Sequence, residues 1–126
     1  MSGILVDSDI LIEVLRGRKA EIVRTWTRVV NAEQPLFFSP VSLAEIRHGM
    51  RAHEGESVER VLSALICIPI DEEIGSRAGD YLRAFHGSHA VELGDALIAG
   101  TASVHDFELW TRNRKHFPMK DVVLLA

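Results

Sequence analysis

Short, wholly apolar runs alternate along this chain with longer stretches whose apolar residues return every three to four positions. Gly3-Ile4-Leu5-Val6 is the first such run. A run without polar alternation suits a strand buried on both faces of a parallel sheet. It gives way to Asp7-Ser8-Asp9, after which Ile10, Leu11, Val14 and Leu15 mark an amphipathic helix that Gly17 closes and that Ser8 or Asp9 can cap. A second helix is expected over residues 18–30, with Ile22, Val23, Trp26, Val29 and Val30 inward and Arg18, Lys19, Arg24 and Arg28 on a solvated face. Leu36-Phe37-Phe38 is the second strand. Ser39-Pro40 opens a third helix, a cap followed by proline at the first helical position, with Leu43, Ile46 and Met50 as its packing face.

The same alternation continues. Residues 57–66 read as a helix with Val58, Val61, Leu62 and Leu65 inward. Cys67-Ile68-Pro69-Ile70 is a short strand whose proline favours a sheet edge. Asp71 caps a helix with the stripe Ile74, Ala78, Tyr81, Leu82 and Phe85, and Gly87-Ser88-His89 is expected to be a loop. Leu93, Ala96, Leu97, Gly100 and Val104 form the stripe of a sixth helix, in which Ala99, Gly100 and Ala102 are small enough for close approach to a sheet. Residues 107–111 are the fourth strand, 112–117 a basic loop or single turn, and 122–125 the last strand. Strands alternating with helices throughout define an α/β fold whose parallel sheet is covered on both faces.

Composition narrows the possibilities. A chain of 126 residues that is 47% hydrophobic suits a single domain spanning residues 1–126 with a substantial core. No segment approaches the roughly 18–20 apolar residues of a membrane helix. Met1-Ser2-Gly3 enters the first strand without a basic leader, so no signal peptide is expected. The single cysteine, Cys67, cannot form an intrachain disulfide and is expected to be a buried thiol, which suits a reducing cytoplasm. A formal net charge of −4 argues against a general nucleic-acid-binding coat. It leaves room for a small acidic site loaded with a divalent cation.

Three acids have places on one rim of such a sheet. Asp7 follows the first strand, Glu45 lies near the start of the third helix, and Asp95 lies in the first turn of the sixth. Each has a structural alternative. Asp95 can serve as a helix-start acid, and Ser42-Leu43-Ala44-Glu45 matches a capping box. Pro40, however, puts the helix start before Ser42 and leaves Glu45 inside it. Glu92 is read as a cap. Carboxylates brought together raise one another's pKa unless a cation sits among them. Oxygen-only ligands suit Mg²⁺ or Mn²⁺, the usual apparatus for activating water toward a phosphodiester. There is no zinc-type Cys/His spacing, no Gly-rich phosphate loop and no nucleophile elbow. The six histidines form no helical metal pair, and only His116 is placed to touch a substrate.

Four segments in this order carry a resemblance. Ile4-Leu5-Val6-Asp7-Ser8-Asp9-Ile10-Leu11-Ile12, Ser39-Pro40-Val41-Ser42-Leu43-Ala44-Glu45-Ile46, Asp95-Ala96-Leu97-Ile98-Ala99 and Thr111-Arg112-Asn113-Arg114-Lys115-His116-Phe117 together resemble the PIN-domain ribonucleases, and within them the VapC-type toxins of toxin–antitoxin pairs. The resemblance implies a three-layer fold with about five parallel strands, and Mg²⁺- or Mn²⁺-dependent endoribonuclease activity. By motif match Asp7, Glu45 and Asp95 would be the acidic metal-site residues. Asn113 falls where such proteins carry a fourth acid or amide, which leaves the site one charge short of a four-acid version. Ser8 matches the small hydroxyl residue after the first acid. Arg112, Arg114 and Lys115 would sit where they could hold RNA phosphates. The implied partners are RNA, a homodimer mate and a cognate antitoxin; DNA would be reached only through the antitoxin, and no membrane is implied.

Two other functions fit parts of the pattern. A PIN-like module that binds a partner protein or RNA without cleaving it is supported only by Asn113. A receiver-like phosphoacceptor domain would use Asp7 and Asp9, but the later strands lack its other acid and its lysine.

Overall fold

A computed structural model describes residues 3–126. The expectation of no leader at Met1-Ser2 lies outside the described residues. The sheet has five strands, β1 (Ile4–Val6), β2 (Leu36–Phe38), β3 (Ile66–Cys67), β4 (Glu108–Trp110) and β5 (Val123–Leu124), in the order β3-β2-β1-β4-β5. All four pairings are parallel. The chain steps outward from β1 to β3 and then returns to the other side of β1 with β4. Strand order therefore reverses between β1 and β4, and crevices at such reversals, outside the carboxyl ends of the strands, are where open α/β sheets bind ligands.

Six helices cover the sheet: α1 (Ser8–Arg16), α2 (Ala20–Asn31), α3 (Pro40–Gly49), α4 (Gly55–Leu62), α5 (Glu72–His89) and α6 (Leu93–His105). Side chains alternate faces along a strand. Leu5, Phe37 and Leu109 belong to one core cluster with residues of α5 and α6. Ile4, Val6, Leu36, Phe38 and Trp110 belong to another with α1, α3 and α4. Burial on both faces explains why β1 carries three fully apolar residues in a row.

Several expectations are corrected. Asp7, not Ser8 or Asp9, is the N-cap of α1; it has extended backbone, and its side chain accepts the Ser8 N–H. The start of α3 is as Pro40 implies: Ser39 is its cap, Pro40 is inside it, and Ser42 and Glu45 form no capping box. Gly87-Ser88-His89 is helical, and α5 ends only where Ala90 takes a left-handed conformation. Helix α4 starts earlier and stops at Leu62. Val30 is exposed near the end of α2. Cys67 is exposed because β3 is the edge strand, with Ile66 beside it 56% exposed. Leu93 is 61% exposed because it is the first residue of α6, ahead of the part that packs. From Ala96 to Ser103 that helix is buried on nearly every side, which a single stripe does not describe. Its closest approach is to α5 rather than to the sheet: a Cβ on Gly100 would stand 3.0 Å from the Ile74 carbonyl oxygen.

Candidate functional site

The carboxyl ends of β1 and β4 are bound together at the strand-order reversal. The Asp7 N–H donates to the Trp110 carbonyl at 2.9 Å. The Thr111 hydroxyl donates to Asp7 Oδ2 at 2.8 Å, while the Ser8 N–H donates to Oδ1 at 2.8 Å. Asp7 is only 7% exposed, and every partner in these bonds is uncharged. Its pKa is pushed up to about 7, first by burial and then by the Asp9 charge, with Glu45 adding to the rise and the Thr111 and Ser8 hydrogen bonds opposing it.

The other expected residues are reached from Asp7 by short steps. Glu45, inside α3, accepts a 2.8 Å hydrogen bond from the Ser8 hydroxyl. The Asn113 N–H donates to Thr111 Oγ1 at 3.0 Å, and its side-chain amide lies 3.4 Å from His116 Nδ1. That ring nitrogen is also 3.4 Å from Asp95 Oδ2. Asp95 sits in the first turn of α6 and accepts the N–H of Glu92, which holds the N-cap position expected of it. The fold thus brings Asp7, Ser8, Glu45, Asp95 and Asn113 into one polar chain: Glu45, Ser8, Asp7, Thr111, Asn113, His116, Asp95.

The basic residues divide. Arg112 is anchored to α1: its N–H donates to Asp9 Oδ2 at 3.0 Å, and its guanidinium to Glu13 Oε2 at 3.1 Å. Arg114, in a single 3-10 turn (Arg114–His116), gives one guanidinium N–H to the Leu125 carbonyl at 3.0 Å. Lys115 is exposed and lines an open cleft with His86, His89 and His116.

Thr111, Asp9 and Glu13 are the participants that sequence reasoning missed. Thr111 carried a signal: it is a hydroxyl residue at a strand end, two positions before Asn113. Asp9 and Glu13 also carried one, being four apart on α1 and therefore on one face. Glu13 is 5% exposed, and the Arg18 guanidinium holds its carboxyl below the usual range.

The donor set suits a hard divalent cation. Its side-chain donors are carboxylate, amide and hydroxyl oxygens, and the buried Asp7 carboxylate has no basic partner to neutralise it. Among the described residues no three acidic, histidine or cysteine side chains are gathered closely enough to make a ready-made metal cage. Each acid is instead held by a neighbouring hydroxyl, amide or ring.

Sheet order defines an α/β protein, with acids linked by hydrogen bonds at its strand-order reversal. Comparison with known proteins agrees with that class. The family model for the PIN domain matches residues 4–122. Ribonuclease VapC10 of Mycobacterium tuberculosis is 47% identical over 117 residues, covering 92% of this chain and 86% of that protein. A toxin–antitoxin complex from Klebsiella pneumoniae superposes with a TM-score of 0.75 at 28% identity, covering 96% of both chains. A VapBC2 structure from Rickettsia felis, bound to a DNA fragment from its promoter, shares the fold at a TM-score of 0.82 and 19% identity, covering 99% of this chain and 98% of that one. The chain belongs to the PIN-domain family.

Proposed function

We propose that this chain is a divalent-metal-dependent endoribonuclease that acts as the toxin of a type II toxin–antitoxin pair. The observation that carries the proposal is the polar chain that joins Glu45, Asp7, Asn113 and Asp95 across the strand-order reversal. The ribonuclease name of a relative at 47% identity supports the substrate class. The toxin–antitoxin complex at 28% identity supports an antitoxin partner. A homodimer and a cytoplasmic location complete the proposal; no helix among the described residues is long and apolar enough to cross a membrane.

Asp7, Glu45 and Asp95 would hold Mg²⁺ or Mn²⁺, and Asn113 would add an amide oxygen. Such an ion supplies charge that favours water attack on a phosphodiester and offsets the charge that develops. The chain's own residues prepare this chemistry. Thr111 and the Ser8 N–H fix both oxygens of Asp7, so its orientation does not depend on the ion. The Ser8 hydroxyl holds Glu45 toward the same crevice. Arg112, Arg114 and Lys115 would hold the RNA backbone beside it.

The direct test is RNA cleavage by the purified, antitoxin-free chain with Mg²⁺ or Mn²⁺, with chelator, and in the Asp95→Asn variant. Cleavage should need both the metal and Asp95 while the variant stays folded. Cleavage that survives chelation or the substitution contradicts the proposal.

Thr111→Val gives a subtler check. Thr111 lowers the pKa of Asp7 by donating to it, so removing the hydroxyl raises that pKa above its value of about 7. Loss of activity on acidification should then set in at a higher pH in the variant. An unchanged pH profile would separate Thr111 from the site. A stability cost of roughly 1–3 kcal/mol is expected too, because Asp7 Oδ2 and the Asn113 N–H each lose a partner.

A further inference from the structure

We propose that Glu13 clamps Arg18 and Arg112 into a paired-guanidinium site that binds an RNA backbone phosphate beside the acidic crevice; this rests on the nuclease function proposed above. Glu13 lies two turns along α1 from the crevice, 5% exposed. A single oxygen, Oε2, accepts from Arg18 Nη2 at 2.8 Å and from Arg112 Nη1 at 3.1 Å. Two guanidiniums thus share one carboxylate oxygen, with Asp9 as a second acid beside Arg112. The arginine side chains remain 55% and 45% exposed. A guanidinium carries five N–H donors. Each gives Glu13 one side-chain hydrogen bond, so Glu13 leaves most of these donors unused.

Both arms of the clamp are set by the fold. Gly17 closes α1 with φ of 64°, a left-handed turn that brings Arg18 back over Glu13. Arg112 is fixed at its backbone as well, through the bond from its N–H to Asp9. It stands between Thr111, which holds Asp7, and Asn113. Glu13 is six positions beyond Asp7, about 9 Å along the helix axis, so a strand held at the crevice reaches the arginine pair within a few nucleotides. Beyond Arg18 the same side carries Arg16, Arg51 and His53 around an open cleft, with Glu54 as the acid among them. Planar guanidinium forks match phosphate oxygens, and two of them held side by side have already lost much of the freedom that binding would otherwise remove.

The test measures binding of a short fluorescein-labelled single-stranded RNA at several salt concentrations, in the Asp95→Asn background that leaves the RNA intact. Adding Arg18→Ala should weaken binding roughly three- to tenfold and reduce the salt slope by about 0.7, the share of one phosphate contact. Binding is read well below the variant's melting temperature, because Glu13 is buried and loses one of its two guanidinium partners, which lowers stability. Glu13→Gln discriminates further. Removing an acid makes the chain less negative, so a general charge effect predicts tighter binding, whereas loss of the clamp predicts weaker binding. In the cleaving chain, Arg18→Ala should raise KM with kcat little changed. Unchanged affinity and slope in Arg18→Ala, or tighter binding in Glu13→Gln, overturns the inference while leaving the nuclease intact. Arg18-dependent binding of a labelled acidic peptide, with RNA binding unmoved, overturns it in favour of a protein partner. Absence of RNA binding together with absence of cleavage by the parent chain overturns the nuclease function and this inference with it.

Discussion

Asp7→Asn should stop RNA cleavage and at the same time make the folded chain more stable at about pH 8. The two effects have one origin. Asp7 is buried, lies near Asp9 and Glu45, and is held only by uncharged donors, so its pKa rises from 3.8 to about 7. The folded chain therefore favours the neutral acid. Below pH 3.8 the group is protonated in folded and unfolded chains alike and costs nothing. As pH rises from 3.8 toward about 7 the unfolded chain ionises first, and the fold loses stability across that window. Above it the full cost of the buried charge is present. Each tenfold change in proton affinity is worth about 1.4 kcal/mol, so that cost is on the order of a few kcal/mol. Asparagine keeps the shape: its oxygen can still accept the Ser8 N–H and cap the helix as well as aspartate does, while its NH2 donates to the Thr111 hydroxyl, which can turn to accept. Cleavage should fall by about 10³-fold, the scale seen when one group that stabilises developing charge is removed. Thermal unfolding against pH and an RNA cleavage assay check both halves. A variant that is less stable at about pH 8, or that still cleaves, would reduce Asp7 to a helix cap.

Leu5→Ala should be among the most damaging substitutions in the core. Leu5 is fully buried in the central strand, with Phe37 and Leu109 in register on either side. Truncating such a side chain costs about 2–5 kcal/mol, because the strands around it cannot collapse onto the space. For a chain of this size that corresponds to a fall in melting temperature of roughly 10–20 °C. Activity per folded molecule should survive, since Asp7 is held by Trp110, Thr111 and Ser8 rather than by Leu5. A fall of only a degree or two would mean that this face of the sheet is less tightly packed than its burial implies.

The sheet was legible because β1 is buried on both faces and so carries no polar residue. The sixth helix was harder to read. Its small residues let α5 approach at Gly100, and a helix enclosed on nearly every side has no single stripe. Edge effects were not legible either. Nothing in Ile66-Cys67 distinguishes an apolar pair in the sheet centre from one on β3, where no second strand covers it. In the site, the acids could be named from their places after strands and at helix starts. The links between them could not. The bond from Thr111 to Asp7 spans 104 positions, and that from Arg112 to Glu13 spans 99. Pairings of that range follow from β1 and β4 being neighbours, which is a property of the topology and not of either segment alone. The start of α1 shows the same limit: Ser8 and Asp9 are both good caps by type, but the hydrogen bond from the Asp7 N–H to Trp110 places the end of the strand, and so the cap, one residue earlier.

A calorimetric Mn²⁺ titration of the parent chain at about pH 8, beside Asp7→Asn and Asp95→Asn, tests the acidic site most directly. Millimolar or tighter binding by the parent, weakened at least about tenfold in each variant, is the result expected if these carboxylates hold a divalent cation. Absence of millimolar binding by the parent, or binding that neither substitution moves, would contradict it.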